Sequence, residues 1–72
     1  MITFAPLWKT LKEKNISTYK LEHVYGLSKS HIYNLKHDKS ITLNTLNQLC
    51  NMFDCEISDV IEYTKDQEQE QP

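Results

Sequence analysis

Glycine is nearly absent from this chain, which has one glycine and two prolines among its 72 residues. So little glycine excludes a glycine-rich loop of the kind that holds nucleotide phosphates. Scarce turn formers, together with leucines three or four positions apart, predict an all-α fold. The length allows one small domain. Such a domain buries little core, so it has to be compact or be stabilised by a partner subunit.

Membrane and enzyme signals are also missing. No apolar run is long enough to cross a bilayer and no secretory signal opens the sequence, so we expect a cytoplasmic protein without membrane contact. There is no carboxylate pair in a cleft pattern and no nucleophile with a base at useful spacing, so we expect no enzyme activity. Nothing indicates a cofactor or a small-molecule ligand.

Cysteine is limited to Cys50 and Cys55, and two cysteines do not make a disulfide framework. Both fall in apolar patterns, and the five-residue gap predicts that they lie on different sides of a helix. We expect two buried thiols in a reducing compartment. His23, His31 and His37 show no ligand spacing with them, so no metal site is expected.

Charge is unevenly distributed along the chain, although the formal net charge is only −2. Residues 1–53 carry seven Lys and three acids, a balance of +4, whereas residues 54–72 carry one Lys and seven acids, a balance of −6. A basic body with an acidic end suits a surface that faces DNA and a tail that points away. Because residues 64–72 have nothing to bury, we predict a domain over residues 1–63 and a disordered acidic tail over 64–72.

Gly26, the one glycine, separates two short helical patterns at residues 17–25 and 27–36. A glycine just past a helix supplies the left-handed residue that ends it. Ser28 can then cap the next helix at once. This order of signals is the sequence form of a helix-turn-helix, whose second helix lies in the DNA major groove.

One helix precedes this motif and two follow it. The first begins at Pro6 and ends near Asn15. The fourth covers about residues 43–53, and a short fifth helix follows. The predicted caps of the second to fifth helices are Ser17, Ser28, Thr42 and Ser58. The apolar stripe of the fourth helix consists of Leu43, Leu46, Leu49, Cys50 and Phe53. Residues 2–4 are apolar and suit a short extended arm.

The apolar and glycine positions of the motif are Leu21, Tyr25, Gly26, Leu27, Ile32 and Leu35. In this pattern the chain resembles the Xre / lambda-repressor-like (Cro/cI-type) family of bacterial and phage transcription regulators. The segment at residues 49–61, with its Phe-Asp-Cys step and Ser-Asp-Val-Ile turn, is similar to a subgroup of short regulators. The resemblance covers about residues 4–63. It implies a compact five-helix domain that binds double-stranded DNA sequence-specifically as a homodimer.

The resemblance also implies which residues read bases. Family members use the first residues of the third helix, here about residues 29–37, and one residue about a turn and a half later. The matching positions are Lys29, Ser30 and Asn34, with His31 and Tyr33 as neighbours. Lys donates to guanine, Asn pairs with adenine, and Ser donates or accepts. The alternative interpretation of this polar face is a solvated surface.

Phosphate contacts are expected at the starts of the second and fourth helices, where free amides and the helix dipole attract anions. The candidate residues are Ser17, Thr18, Tyr19, Lys39, Ser40, Thr42, Asn44 and Thr45. Each Ser or Thr among them can instead be a helix cap, and one residue can do both.

Two positions depart from the family pattern. Glu22 stands where the family often has alanine, so its carboxylate needs solvent or a partner such as His23 or His31. Asp38 stands where the family often has glycine, although Asp tolerates the left-handed region better than most residues.

A second hypothesis is a helical protein-interaction module that uses the same fold without reading DNA. It stays open because only three Lys lie near the groove side, and the salt dependence of binding to duplex DNA discriminates the two hypotheses. The last helix and the apolar arm at residues 2–4 are the candidate dimer surfaces.

Overall fold

The computed structural model describes residues 1–66, in which four α-helices and one 3₁₀ turn are flanked by a pair of strands. The helices are α1 (Ala5–Glu13), α2 (Thr18–His23), α3 (Lys29–Lys36) and α4 (Leu43–Phe53), and the 3₁₀ turn covers Ile57–Asp59. Strands β1 (Ile2–Thr3) and β2 (Glu62–Tyr63) pair antiparallel, with Ile2 opposite Tyr63 and Thr3 opposite Glu62. The predicted arm is therefore a strand, and the fold is mostly helical rather than all-α.

The helices α2, α3 and α4 begin where the sequence predicts. The hydroxyls of Ser17, Ser28 and Thr42 each accept a hydrogen bond from the backbone N–H three residues later, at 3.2, 3.1 and 3.1 Å. Each cap satisfies one of the N–H groups that a helix start leaves unpaired and is worth about 0.5–2 kcal/mol. Because a cap depends on residues only three positions apart, these three helix starts can be predicted from the sequence.

The predicted fifth α-helix is not found within residues 1–66. The single 3₁₀ turn takes its place, and the cap is Glu56 rather than Ser58, because the backbone N–H of Glu56 donates to Asp59 Oδ2 at 3.0 Å. The turn is held to α1 by Thr10, whose buried hydroxyl donates to the carbonyl of Asp59 at 2.8 Å. The chain then extends almost at once into β2, which leaves no length for a further helix.

Two predictions are wrong, one for Leu43 on the fourth helix and one for the two cysteines on different sides of a helix. Leu43 belongs to the predicted apolar stripe, but it is the first residue of α4 and its side chain is exposed. Cys55 does not lie on the helix, because the chain reverses at Asp54, where φ is 51°. The backbone N–H of Cys55 then donates to the carbonyl of Cys50 at 3.0 Å, and both thiols are free and half-buried.

Leucine supplies most of the core, with members from every helix. The buried apolar residues are Phe4, Leu7, Leu11, Leu21, Leu27, Ile32, Leu35, Leu46, Leu49, Phe53 and Val60. Tyr25 packs its ring against Phe53 edge to face, with centroids 5.1 Å apart. Helices of six to eleven residues are not stable alone, so this shared core is what stabilises them.

Each of the four helices is followed by one residue with positive φ. These residues are Asn15 at 58°, Gly26 at 76°, Asp38 at 53° and Asp54 at 51°. After α1, α3 and α4, the next backbone N–H donates to the carbonyl five residues back, at 2.8, 2.8 and 3.0 Å. Asn and Asp enter the left-handed region more readily than other side chains. Their use in place of glycine explains how a chain with one glycine ends four helices.

Asp38 also ties the N-terminal strand to the loop between α3 and α4. Its Oδ1 accepts the backbone N–H of Phe4 at 2.8 Å, across 34 positions of the sequence. Glycine, the residue that the family often has here, cannot make this bond. The departure from the family pattern therefore has a structural role in this chain.

The domain boundary at residue 63 and the disordered tail stay predictions. The backbone N–H of Thr64 donates to the carbonyl of Met1 at 2.8 Å, which extends the strand pairing by one residue. The tail positions 67–72 lie outside the described residues. Within residues 1–66, no helix has both the length and the apolar character needed to cross a bilayer.

We expect Gly26→Ala to destabilise the domain through backbone strain alone. A methyl group at this position would meet no atom within 4 Å, but φ is +76°. An alanine in the left-handed region costs about 1–2 kcal/mol. Urea unfolding should show that loss for Gly26→Ala and a smaller one for Gly26→Asn, since Asn tolerates positive φ. Equal stability of Gly26→Ala and the wild type would show that the turn does not need its left-handed residue.

Three variants of Asp38 separate its backbone conformation from its hydrogen bond. Asp38→Asn keeps an acceptor oxygen and tolerates positive φ, so its free energy of unfolding should stay within about 0.5 kcal/mol of the wild type. Asp38→Gly removes the bond to Phe4 and should cost about 1 kcal/mol. Asp38→Ala removes the bond and strains the backbone, and should cost about 2–3 kcal/mol in urea unfolding. If Asp38→Ala is more stable than Asp38→Gly, the strain argument is wrong.

Candidate nucleic-acid interface

The helices α2 and α3 pack against each other around Gly26 and leave one face of α3 in solvent. Leu21 of α2 and Ile32 and Leu35 of α3 are buried. With about 100° of rotation per residue, the face of α3 opposite Ile32 and Leu35 is centred near Ser30. This side of the helix is free to meet a ligand.

The five residues predicted to read bases divide by exposure. Lys29, Ser30 and Tyr33 are exposed, whereas His31 and Asn34 are half-buried. The structure thus brings Lys29, Ser30 and Tyr33 together on the open face of α3. His31 and Asn34 are less exposed, and part of each side chain still reaches solvent.

His37 belongs to the same face, although it is not among the residues predicted to read bases. Its ring lies against that of Tyr33, with centroids 4.2 Å apart. The i, i+4 spacing of the two residues is the signal that could have found it. Lys36, in the same last turn, is also exposed. A similar pair, Tyr19 and His23, lies on α2 with 4.2 Å between centroids.

The predicted phosphate-binding residues lie at and before the starts of α2 and α4. Those with exposed side chains are Ser17, Thr18, Tyr19, Lys39, Ser40, Thr42 and Asn44. Ser17 and Thr42 are helix caps, as the sequence allowed. Thr45 is half-buried, and its hydroxyl accepts a hydrogen bond from that of Thr42 at 3.0 Å. Of the predicted set, Thr45 is therefore the residue least open to a ligand.

No acidic residue occupies the first turn of α2, α3 or α4. Acids are favoured there because they offset the positive end of the helix dipole. Their absence leaves three helix starts that attract anions.

The acids among residues 17–45 are Glu22 and Asp38, against four Lys. Asp38 is turned toward the N–H of Phe4. Glu22 is half-buried, with its Oε1 3.8 Å from His23 Nε2, so His23 rather than His31 is its neighbour. The surface built by α2, α3 and the start of α4 is therefore weakly positive.

The two cysteines form a half-buried pair at the end of α4. Burial raises the pKa of the Cys55 thiol, and the neighbouring Cys50 and Asp59 raise it further. The thiol is therefore protonated at neutral pH and lacks the thiolate character of a reactive cysteine. In the part of the chain that the structure describes, no three His, Cys, Asp or Glu side chains are arranged to hold a metal ion.

A tight two-helix unit with an open, weakly positive second helix is the architecture of helix-turn-helix proteins that bind nucleic acid. The sequence matches the family model of the Cro/C1-type helix-turn-helix DNA-binding domain over residues 6–66. The chain belongs to that family, which confirms the resemblance inferred from its motifs. It is therefore a helix-turn-helix domain of DNA-binding regulators.

The fold is similar to that in the crystal structure of the transcriptional regulator VanUg, Form II. The TM-score is 0.76 and the sequence identity 28%, over 85% of this chain and 81% of that chain. A comparison with curated proteins gives no match.

Proposed function

We propose that this protein is a transcriptional regulator that binds double-stranded DNA sequence-specifically, reads the major groove with α3, and acts as a homodimer in the cytoplasm. The observation that carries the proposal is the open polar face of α3, together with the acid-free starts of α2, α3 and α4. Membership of a DNA-binding family and the similarity to the regulator VanUg support it.

Base recognition falls to the open face of α3. Lys29 donates to guanine O6 or N7, and the hydroxyl of Ser30 donates or accepts. Asn34 offers a donor and an acceptor that match the N6 and N7 edge of adenine. The ring of Tyr33 adds an apolar surface for a thymine methyl group. His31 is half-buried, so its ring contributes to the site only with the part that reaches solvent.

The chain has eight lysines and no arginine. Arg makes the commonest paired contact to guanine, while Lys acts as a flexible point charge. Asn34 therefore makes the most directional base contact available to α3. We expect a half-site with an A·T pair at the position that Asn34 reaches.

Phosphate contacts hold α3 in register on the duplex. Unpaired N–H groups at the starts of α2 and α4, with the hydroxyls of Thr18 and Ser40, donate to phosphate oxygens. Lys39 adds a charge beside them. The backbone N–H of Lys39 donates to the carbonyl of Asn34 at 2.8 Å, so the backbone of Lys39 is fixed to the end of α3. A phosphate contact there positions the reading helix directly.

Affinity for duplex DNA should fall steeply with salt. If each subunit neutralises about four phosphates, the slope of log affinity against log salt should be roughly −3.6 per subunit. Fluorescence anisotropy of a labelled duplex across a salt series measures this slope. A slope near zero on every duplex would contradict the proposed DNA binding and favour the hypothesis of a protein-interaction module.

Asn34→Ala and Lys39→Ala should separate base reading from phosphate contact. The test duplex is one that the wild-type protein selects from a randomised pool, with a scrambled duplex beside it. Asn34→Ala should weaken binding to the selected duplex by about 1–3 kcal/mol and relax the preference at one A·T pair. Lys39→Ala should weaken binding to both duplexes alike and flatten the salt slope by about one unit.

Lys9→Ala is the matched control for Lys39→Ala. Lys9 is an exposed lysine on α1, beside Ser58 and Glu62 and outside the helix-turn-helix. The substitution therefore removes the same charge at a different place on the surface. Its affinity for both duplexes should stay close to that of the wild type. If Asn34→Ala weakens both duplexes equally while Lys39→Ala changes the sequence preference, the placement of α3 in the major groove is wrong.

A further inference from the structure

An apolar groove opens between the strand pair and the start of α4, and we call it the Leu43 groove. Its volume is about 500 Å³. Its exposed apolar residues are Leu43 at 81% of full exposure, Tyr63 at 69%, Met1 at 61% and Ile2 at 54%. These four residues are half of the large apolar residues that are exposed among residues 1–66, and they line one groove; the others are Tyr19, Val24, Tyr33 and Ile57.

The geometry of the strands and of α4 creates the two walls of the groove. Ile2 and Tyr63 are directly paired across the sheet, so both side chains project from the same face. Leu43, in the first turn of α4, lines the groove beside them. Buried Phe4 and Leu46 also line it, so the groove is continuous with the apolar core.

The exposed area is large for so small a domain. Free side chains of this size present about 150–250 Å² each, so the four exposed fractions amount to on the order of 500 Å². The largest apolar patch on an ordinary monomer is about 300–600 Å² and is often functional. A stable dimer buries about 800 Å² per partner, so these four residues supply more than half of one side of such an interface.

We propose that the Leu43 groove is the surface through which two copies of this chain associate about a two-fold axis. In such a contact the same patch faces itself, so its charges must not repel each other. The charged groups that line the groove are the Asp38 carboxylate, the Lys39 ammonium and the N-terminal ammonium of Met1. The ammonium of Met1 pairs with the Asp66 carboxylate at 2.8 Å, so the charges at the groove cancel. A neutral apolar patch can therefore meet its own copy without repulsion, whereas a strongly acidic or basic partner finds no opposite charge in it.

The location of the groove also fits a dimer that binds DNA, and in this step the proposal rests on the proposed function. The wall formed by Lys39, Ser40 and Thr42 belongs to the same segment as the proposed phosphate contacts. If the two-fold axis passes beside this segment and runs along the direction in which the open face of α3 points, both copies of the segment lie on the same side of the dimer. The two α3 helices then face one duplex together, as a two-fold operator requires.

Leu43→Glu tests this interface. Leu43 is so exposed in the single chain that its replacement loses little packing, and an acid at the first position of α4 suits the helix dipole. Two buried carboxylates facing each other across the axis would oppose association. Sedimentation velocity of the full chain, from micromolar to millimolar concentration and without DNA, should show that Leu43→Glu weakens dimerisation by about tenfold or more.

Ile57→Glu is the matched control. Ile57 is another exposed apolar residue, in the first position of the 3₁₀ turn and outside the groove, and the change adds the same charge. Its dimerisation should stay within about twofold of the wild type. Tyr63→Lys, on the strand wall, is a second groove variant with the opposite charge, and it should weaken dimerisation as Leu43→Glu does. Circular dichroism melting checks that each variant is folded.

Two outcomes overturn the proposal. One is a wild-type chain that stays monomeric up to millimolar concentration, which would assign the groove to another partner or to none. The other is that Leu43→Glu and Tyr63→Lys dimerise with the same affinity as Ile57→Glu. Failure of DNA reading appears separately, as equal affinity for selected and scrambled duplexes, and it would leave the measured self-association unchanged.

Discussion

The fold depends on the left-handed residue that follows each helix. The four helices have only six to eleven residues, so none is stable until it is turned back onto its neighbours. Asn15, Gly26, Asp38 and Asp54 make these turns. Where the turn residue is Asp rather than glycine, it brings a side chain that can make a further bond. Asp38 uses this possibility when its carboxylate accepts the N–H of Phe4.

That one bond brings three parts of the molecule to a single loop. Phe4 follows β1 and is buried, so the bond anchors the strand pair to the end of α3. Lys39, the next residue, is bonded through its backbone to Asn34 of α3. The same loop forms one wall of the Leu43 groove. In our proposals, the residues for base reading, phosphate contact and self-association therefore lie close to Asp38. A movement of this loop would change the position of all three groups of residues.

The candidate site was proposed from the sequence because its signals are either local or specific to a family. Ser17, Ser28 and Thr42 are caps that act within three residues of themselves, and each starts a helix as expected. The residues for base reading came from matching the motif around Gly26, and the structure leaves Lys29, Ser30 and Tyr33 on one open face. His37 was missed because it follows the last residue of α3, beyond the positions that the motif match assigned to base reading.

What the sequence by itself determined is the starts of α2, α3 and α4, the turn at Gly26 and the apolar spacing that makes α2 and α3 pack, since each depends on residues a few positions apart. Only the tertiary structure decided the rest. Leu43 fits an apolar stripe, but whether such a residue is covered depends on what packs over the first turn of α4. A 3₁₀ turn and β2 stand where a fifth helix was expected, because β2 pairs with β1, which lies near the other end of the sequence. Pairing between residues so far apart follows from how the helices fold back on one another, and periodicity within a short segment does not record it.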